Sequence, residues 1–448
     1  MIKSAVLCLI VITGVLSSAI LSPSLSINSF VKAQKEKVTI NAILEDQGDP
    51  RRWNSLFQPA LQELRSKHPD KEILLNTTML PYDRARSHML QSLAAKRPID
   101  LISLDQIWLG EFAQKGLLTD LTNYVKNWGR ENDWYQENWD GGIYGGRVYG
   151  IWAWTDIRGI WYWKDLLDKA GVDPNSLKTW DGYVAAAKKL NTVLRPEGIE
   201  GVHLTGASHS PDLWYPYLWM LGGEILKMKS GHPTKGSYWF PAFNSTEGIR
   251  AMSFIKQQVD AGIKPQRNHY WGLEFLDRKF AVMIEALQHH INERFPITSP
   301  ERRTEFENMV GFLPMLPVPS SNYNTTSLMG GWELVVPKTS TQKELAWELI
   351  TIMLEPKILT PYLAAHSNLP TQIPIGEGQY SSIINSTTPY YDKLITLLKA
   401  GRSRPSIPEY PQIADTIHSA LDEVYYGIKE PKQALNEAAN KSAKILGW

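Results

Sequence analysis

The sequence holds a single cysteine, Cys8, in 448 residues. An internal disulfide or a cysteine-held metal site is therefore excluded. Charge of one sign is also missing, since 47 Lys and Arg against 46 Asp and Glu leave a formal +1. A chain this balanced lacks the basic field that a phosphate backbone requires, which argues against nucleic acid as the main partner. Catalytic signatures are scarce as well. There is no G-x-S-x-G, no phosphate loop and no dinucleotide fingerprint. His289-His290 followed by Glu293 gives H-x-x-E rather than the H-E-x-x-H of a zinc helix, and it reads as a surface helix. No metal and no cofactor is implied. Internal repeats and low-complexity tracts are absent too.

Long hydrophobic runs are confined to the N-terminus. Lys3 gives a short positive start, Ala5 to Leu21 is nearly unbroken in its apolar character, and small residues precede Gln34. This predicts an export signal over residues 1–33, with cleavage after Ala33. The competing reading is a retained anchor, because the run is at the lower limit for a bilayer span. Cys8 is not at the end of the run, which argues against a lipoprotein anchor. Asn76, Asn244, Asn324, Asn385 and Asn440 each stand in an N-x-S/T triplet, a glycosylation acceptor if the host has the machinery.

What the chain has in quantity is aromatic: 17 Trp and 19 Tyr. Large flat side chains stack on sugars or bases, and they also fill cores. At this length two or three well-filled domains are expected.

Val38, Ile40, Ala42 and Leu44 alternate, which predicts a strand with one buried face. Trp53, Leu56, Phe57, Ala60, Leu61 and Leu64 then form a helical stripe. "ILLNTTML" and "IDLISL" read as strands, with helices over "ARSHMLQSLAAK" and "QIWLGEFAQKG". This alternation predicts a parallel sheet covered by helices. Thr179 is the expected N-cap of "WDGYVAAAKKL". Capping boxes are expected at Asn244…Glu247 and Thr341…Glu344. Strand signals return at 309–313 and 332–336, long after the first α/β unit ends. A sheet that borrows such distant strands implies a backbone crossing between two lobes more than once, with ligands at the strand C-terminal ends.

Four stretches in order resemble the extracellular solute-binding proteins of ABC sugar importers. They are "IDLISLDQIWLGEFAQKGLLTDL", "GGRVYGIWAWTDIRGIWYWKDLLDKAG" with "TWDGY", "SLMGGWELVVPKTSTQKELAWELI", and "RPSIPEYPQIADTIHSALDEVYYGIKEPKQALNEA". The pattern is similar to the trehalose/maltose-binding type. The resemblance implies an α/β, two-lobed, periplasmic-binding-protein-like clamshell with multiple hinge crossings. Lobe one would be 38–154 plus 311–356, and lobe two 155–310 plus 357–448. A sugar would sit in the cleft of a monomer, with no enzymatic step, and closure would present a surface to a membrane permease.

The same resemblance assigns sugar contacts to Asp49, Asp105, Asp156, Trp154 and Trp332, and places Arg84 and Arg86 near the sugar-contacting arginine, with Arg86 favoured. Carboxylates suit sugars because each accepts from two adjacent hydroxyls. Asp105 also reads as an N-cap, Asp49 as a loop cap, and Arg86 as part of a solvated helix face. Gly330 and Gly331 would let backbone amides approach a ligand, and Trp332 would lie under a pyranose ring. Trp108, Trp134, Trp139, Trp161 and Trp163 read as core. The chain departs from the type in two places: Leu287 and Gln288 stand where a second cleft tryptophan is expected, and Gln372 where an arginine is. These departures leave the sugar open among disaccharides, glycosides and polyols. Paired acids with stacking tryptophans also describe a secreted glycoside hydrolase, and a polysaccharide-adhesion protein is a third class.

Overall fold

The alternating segment forms the strand Glu36–Glu45, which pairs in parallel with Lys71–Leu80 over its whole length and with Leu101–Asp105. The computed structural model describes residues 35–45, 51–206, 210–267 and 272–448. The expected export signal and Asp49 lie outside the described residues. The helix Arg51–Lys67 buries the stripe from Trp53 to Leu64, as its spacing requires.

Two sheets organise the chain. The larger has six strands in the order Leu369–Pro370, Gly150–Thr155, Gly331–Val335, Leu101–Asp105, Glu36–Glu45 and Lys71–Leu80. Gly331–Val335 runs antiparallel to both neighbours, so the parallel sheet predicted from the N-terminal alternation accepts a reversed strand from far along the chain. The smaller sheet has four strands: Val310–Leu313, Gly159–Trp163, Phe280–Glu285 and Glu200–Val202. Only Asp156, Ile157 and Arg158 separate a strand of the first sheet from a strand of the second.

Strand pairing assigns the two segments next to the expected lobe boundaries to particular sheets. Residues 310–313 pair with Gly159–Trp163 in the second sheet, so the chain returns to the first sheet only between Leu313 and Gly331. Residues 369–370 pair with Gly150–Thr155, and the helix Pro356–His366 packs on Arg51–Lys67. The segment following 357 therefore still belongs to the first sheet.

Thr179 caps the helix Trp180–Leu194 by accepting from the Gly182 amide. The other two caps differ from expectation. Ser245, not Asn244, accepts from the Gly248 amide, while Asn244 donates to Asn436. Thr341 gives its amide to Asp100, and the helix Lys343–Met353 begins after Gln342, whose amide donates to Ser340. Trp108, Trp134, Trp161 and Trp163 are buried, and Trp139 is partly so.

Candidate functional site

Asp105 ends its strand and accepts from the Ile107 amide at 3.3 Å, capping the short helical turn Gln106–Trp108. Its other oxygen accepts from the Tyr82 hydroxyl at 2.8 Å. Trp332 stands opposite Asp105 in register. Its partly buried ring packs edge-to-face with Tyr82 and Trp108, centroids 6.1 and 6.2 Å apart. One side of the site is thus an aromatic wall with a single acid.

The other side is ionic. Asp156 follows the strand Gly150–Thr155 and is paired with Arg158. It also accepts from the Gly330 amide at 2.8 Å and lies 3.6 Å from His289 Nε2. Burial would raise its pKa, but the Arg158 guanidinium and His289 hold the carboxyl well below the usual range. Arg158 reaches Glu285 at 3.8 Å and Asp212 at 4.0 Å. Asp212 in turn lies 3.1 Å from Arg404, which lies 3.5 Å from Asp105. Acids and guanidiniums therefore alternate in a chain that runs from Asp105 to Asp156. Burial raises the Asp105 pKa, with Arg404 and Tyr82 opposing the rise.

The structure brings Asp105, Asp156, Gly330, Gly331 and Trp332 together. It gives the glycines a different reason from the one expected. The Gly330 amide is spent on Asp156. A Cβ on Gly331, whose φ is +156°, would fall 1.8 Å from Trp152 Nε1, so the missing side chain makes room for an indole rather than for a solute.

Three expected contacts are placed elsewhere. Trp154 is 1% exposed and packs between Trp53 and Tyr362, which makes it a core residue. Gln372 is 0% exposed, and its amide donates to the Leu354 carbonyl at 2.9 Å. Arg86 directs two nitrogens at Glu111, at 2.8 and 2.6 Å.

Tyr82, Arg158, Asp212, Glu285, His289 and Arg404 were not singled out as contacts from sequence. Arg158 lies within the quoted "GGRVYGIWAWTDIRGIWYWKDLLDKAG", and Arg404 is the first residue of the quoted stretch that begins "RPSIPEY". Asp212 sits in the apolar helix Ser210–Met220, where a buried acid is costly unless paired, and that is the signal that could have marked it. His289 is not on a surface helix: its ring bonds Asn368 at 2.6 Å and faces Asp156. Among the described residues no three His, Cys, Asp or Glu side chains are grouped to hold a metal ion.

The family described as bacterial extracellular solute-binding protein matches residues 48–358. The chain belongs to this family. Its relatives and structural neighbours agree with that placement. A Brucella abortus protein, provisionally named as a binding protein, is 25% identical over 407 residues, 87% of this chain and 89% of its own. The arabinooligosaccharide-binding protein of Bacillus subtilis is 23% identical and shares 65% of this chain and 64% of its own. An ABC transporter solute-binding protein from Thermotoga lettingae, solved with α-D-tagatose, superposes with a TM-score of 0.74 at 24% identity. That match covers 92% of this chain and 100% of the other. This solute-binding protein therefore has the two-lobed fold of such receptors, and its ionic chain ends in the short segment Asp156–Arg158 between strands of the two sheets.

Proposed function

We propose that the protein is an exported receptor that binds a sugar or related polyol between its lobes and delivers it to the permease of an ABC transporter. The carrying observation is the juxtaposition of Trp332, Tyr82 and Trp108 with the alternating series Asp105, Arg404, Asp212, Arg158 and Asp156. A sugar ring has an apolar C–H face, suited to an aromatic wall. Its hydroxyls each donate and accept, and they suit a surface where carboxylates and guanidiniums alternate. The sugars carried by the Thermotoga and Bacillus relatives support the same class.

On this reading Asp105, Asp156 and Trp332 contact the solute, while Gly330 and Gly331 shape the strand that presents Trp332. Lobe one holds the six-stranded sheet and lobe two the four-stranded one. The receptor acts as a monomer, reaches the cell exterior through its N-terminal signal, and uses no cofactor. Solute contacts with both lobes shift an open–closed equilibrium.

Calorimetry on the chain from Gln34 onward, against trehalose, maltose, sucrose, glucosylglycerol and simple polyols, tests this. One-to-one binding without turnover, lost in Trp332→Ala, supports the receptor. Steady consumption of a glycoside would instead favour the hydrolase. Silence across the panel sinks the sugar assignment.

A further inference from the structure

The series of charges at the site does not balance. It begins on Asp105 and ends on Asp156, with Arg404, Asp212 and Arg158 between them. An alternating series with an acid at each end holds one acid more than it holds cations. Among the described side chains no other Lys or Arg lies within 4.0 Å of these three acids. Glu285 is a further acid on Arg158, at 3.8 Å. His289, 3.6 Å from Asp156, offsets a charge only by taking a proton. Asp105, Asp212 and both guanidiniums are buried. Surplus charge held away from water is costly unless something neutralises it.

Asp105 is where the surplus is least covered. Arg404 stands 3.5 Å from it, against 3.1 Å from Asp212. Its other bonds come from neutral donors, the Tyr82 hydroxyl and the Ile107 amide. Burial raises its pKa, and Arg404 and Tyr82 oppose the rise only in part. Beside it stand Trp332, its partner in register, and the Tyr82 ring, with 6.1 Å between the two ring centroids. A cation near aromatic rings is attracted by their quadrupole, and more strongly where water is excluded. A carboxylate set against an aromatic wall therefore receives an ammonium better than a hydroxyl, and an anion worst of all.

We propose that the solute is a cationic sugar, an amino sugar whose ammonium is received by Asp105 beside Trp332. The inference rests on this being the solute site, and it narrows the sugar class that the functional reading leaves open. It also states what is refused. Uronic acids and sugar phosphates add a like charge to a surface already in surplus, and they are rejected. Neutral sugars fit the aromatic wall but leave the surplus uncompensated, so they bind more weakly than the amine of the same ring.

Glucose, N-acetylglucosamine and glucosamine share one ring and carry a hydroxyl, a neutral amide and an ammonium at the same carbon. Calorimetry with the three at neutral pH is expected to find glucosamine bound about tenfold or more tighter than either of the others. Its advantage should shrink as pH falls and Asp105 takes up a proton. In Asp105→Asn the advantage should disappear. Should circular dichroism show that protein unfolded, Asp212→Asn takes its place, since it releases Arg404 to neutralise Asp105. Where only a disaccharide of the earlier panel binds, its 2-amino-2-deoxy form replaces glucosamine in the same comparison. Equal or weaker binding of the amine overturns the cationic solute and leaves the sugar reading standing. An undiminished advantage in a folded Asp105→Asn protein overturns the placement at Asp105. If no sugar binds at all, the sugar reading has failed instead; choline and ethanolamine then probe the surplus charge, and silence from both overturns the cationic solute as well.

Discussion

Two neighbouring regions bury carboxyl groups and treat them in opposite ways. Where the two sheets meet, Asp156 has Arg158, His289 and the Gly330 amide around it, and it is held ionised. In the middle of the strand Gly331–Val335, Glu333 is 0% exposed and neither of its oxygens has a partner. Burial pushes its pKa well above the carboxylate range, with the Asp105 charge adding to the rise. Burial alone does not decide charge; the partners do. The junction of the sheets is therefore charged, while the buried middle of the neighbouring strand holds a carboxyl that burial pushes towards its neutral form.

The largest effect that would break this contrast is loss of the junction's cation. Arg158→Met leaves Asp156 and Asp212 buried without it, and the expected cost is about 3–5 kcal/mol in urea denaturation. A cost under about 1 kcal/mol would mean that the junction is solvated rather than paired.

The two acids should also give stability slopes of opposite sign. Asp156 has a depressed folded pKa, so its contribution is present above its unfolded value near 3.8 and is lost as pH falls. Glu333 has a raised one, so the folded state keeps a proton that the unfolded chain releases near 4.5. Its contribution shrinks as pH rises above that value. Relative to wild type, Glu333→Gln should gain about 1.4 kcal/mol per pH unit until the folded pKa is reached. A pH-independent difference between the two proteins removes the neutral acid.

Next come two tryptophans that are backbone partners in register but pack against different neighbours, Trp332 and Trp154. Trp332→Ala should cost about tenfold or more in affinity with little change in melting temperature. Trp154→Phe should cost about 1–3 kcal/mol of stability with affinity unchanged. Reversed outcomes would place the solute on the other side of the sheet. The smallest expected effect is Gln372→Met, within about 1 kcal/mol in stability and silent in calorimetry, since it removes one interior hydrogen bond. Lost binding there would return Gln372 to the site.

Local pattern explains what was legible in the sequence. The strand from Val38 to Leu44, the stripe from Trp53 to Leu64 and the Thr179 cap are set by neighbours a few residues away, and they appear where expected. Sheet membership is a long-range property. Val310–Leu313 carries the same apolar run whichever sheet it joins, so its placement with Gly159–Trp163 could not be read from it. The same limit applies to the site. Asp105 is marked by its strand end. Resemblance supplies a position for Trp154 and Gln372 but not their exposure. Arg404 lies in a Ser- and Pro-rich stretch that looks solvated, and only its two distant acids reveal it.

The three residues that join the sheets have an engineering consequence. Asp156 and Arg158 flank the only residue between them, Ile157, and they are both the shortest connection between lobes and part of the ionic chain. A chimaera that takes one sheet from this receptor and the other from a relative must be spliced there, inside the surface proposed for recognition. If that surface reads the solute, recombination at the seam exchanges cargo preference and bending mechanics together, as one unit.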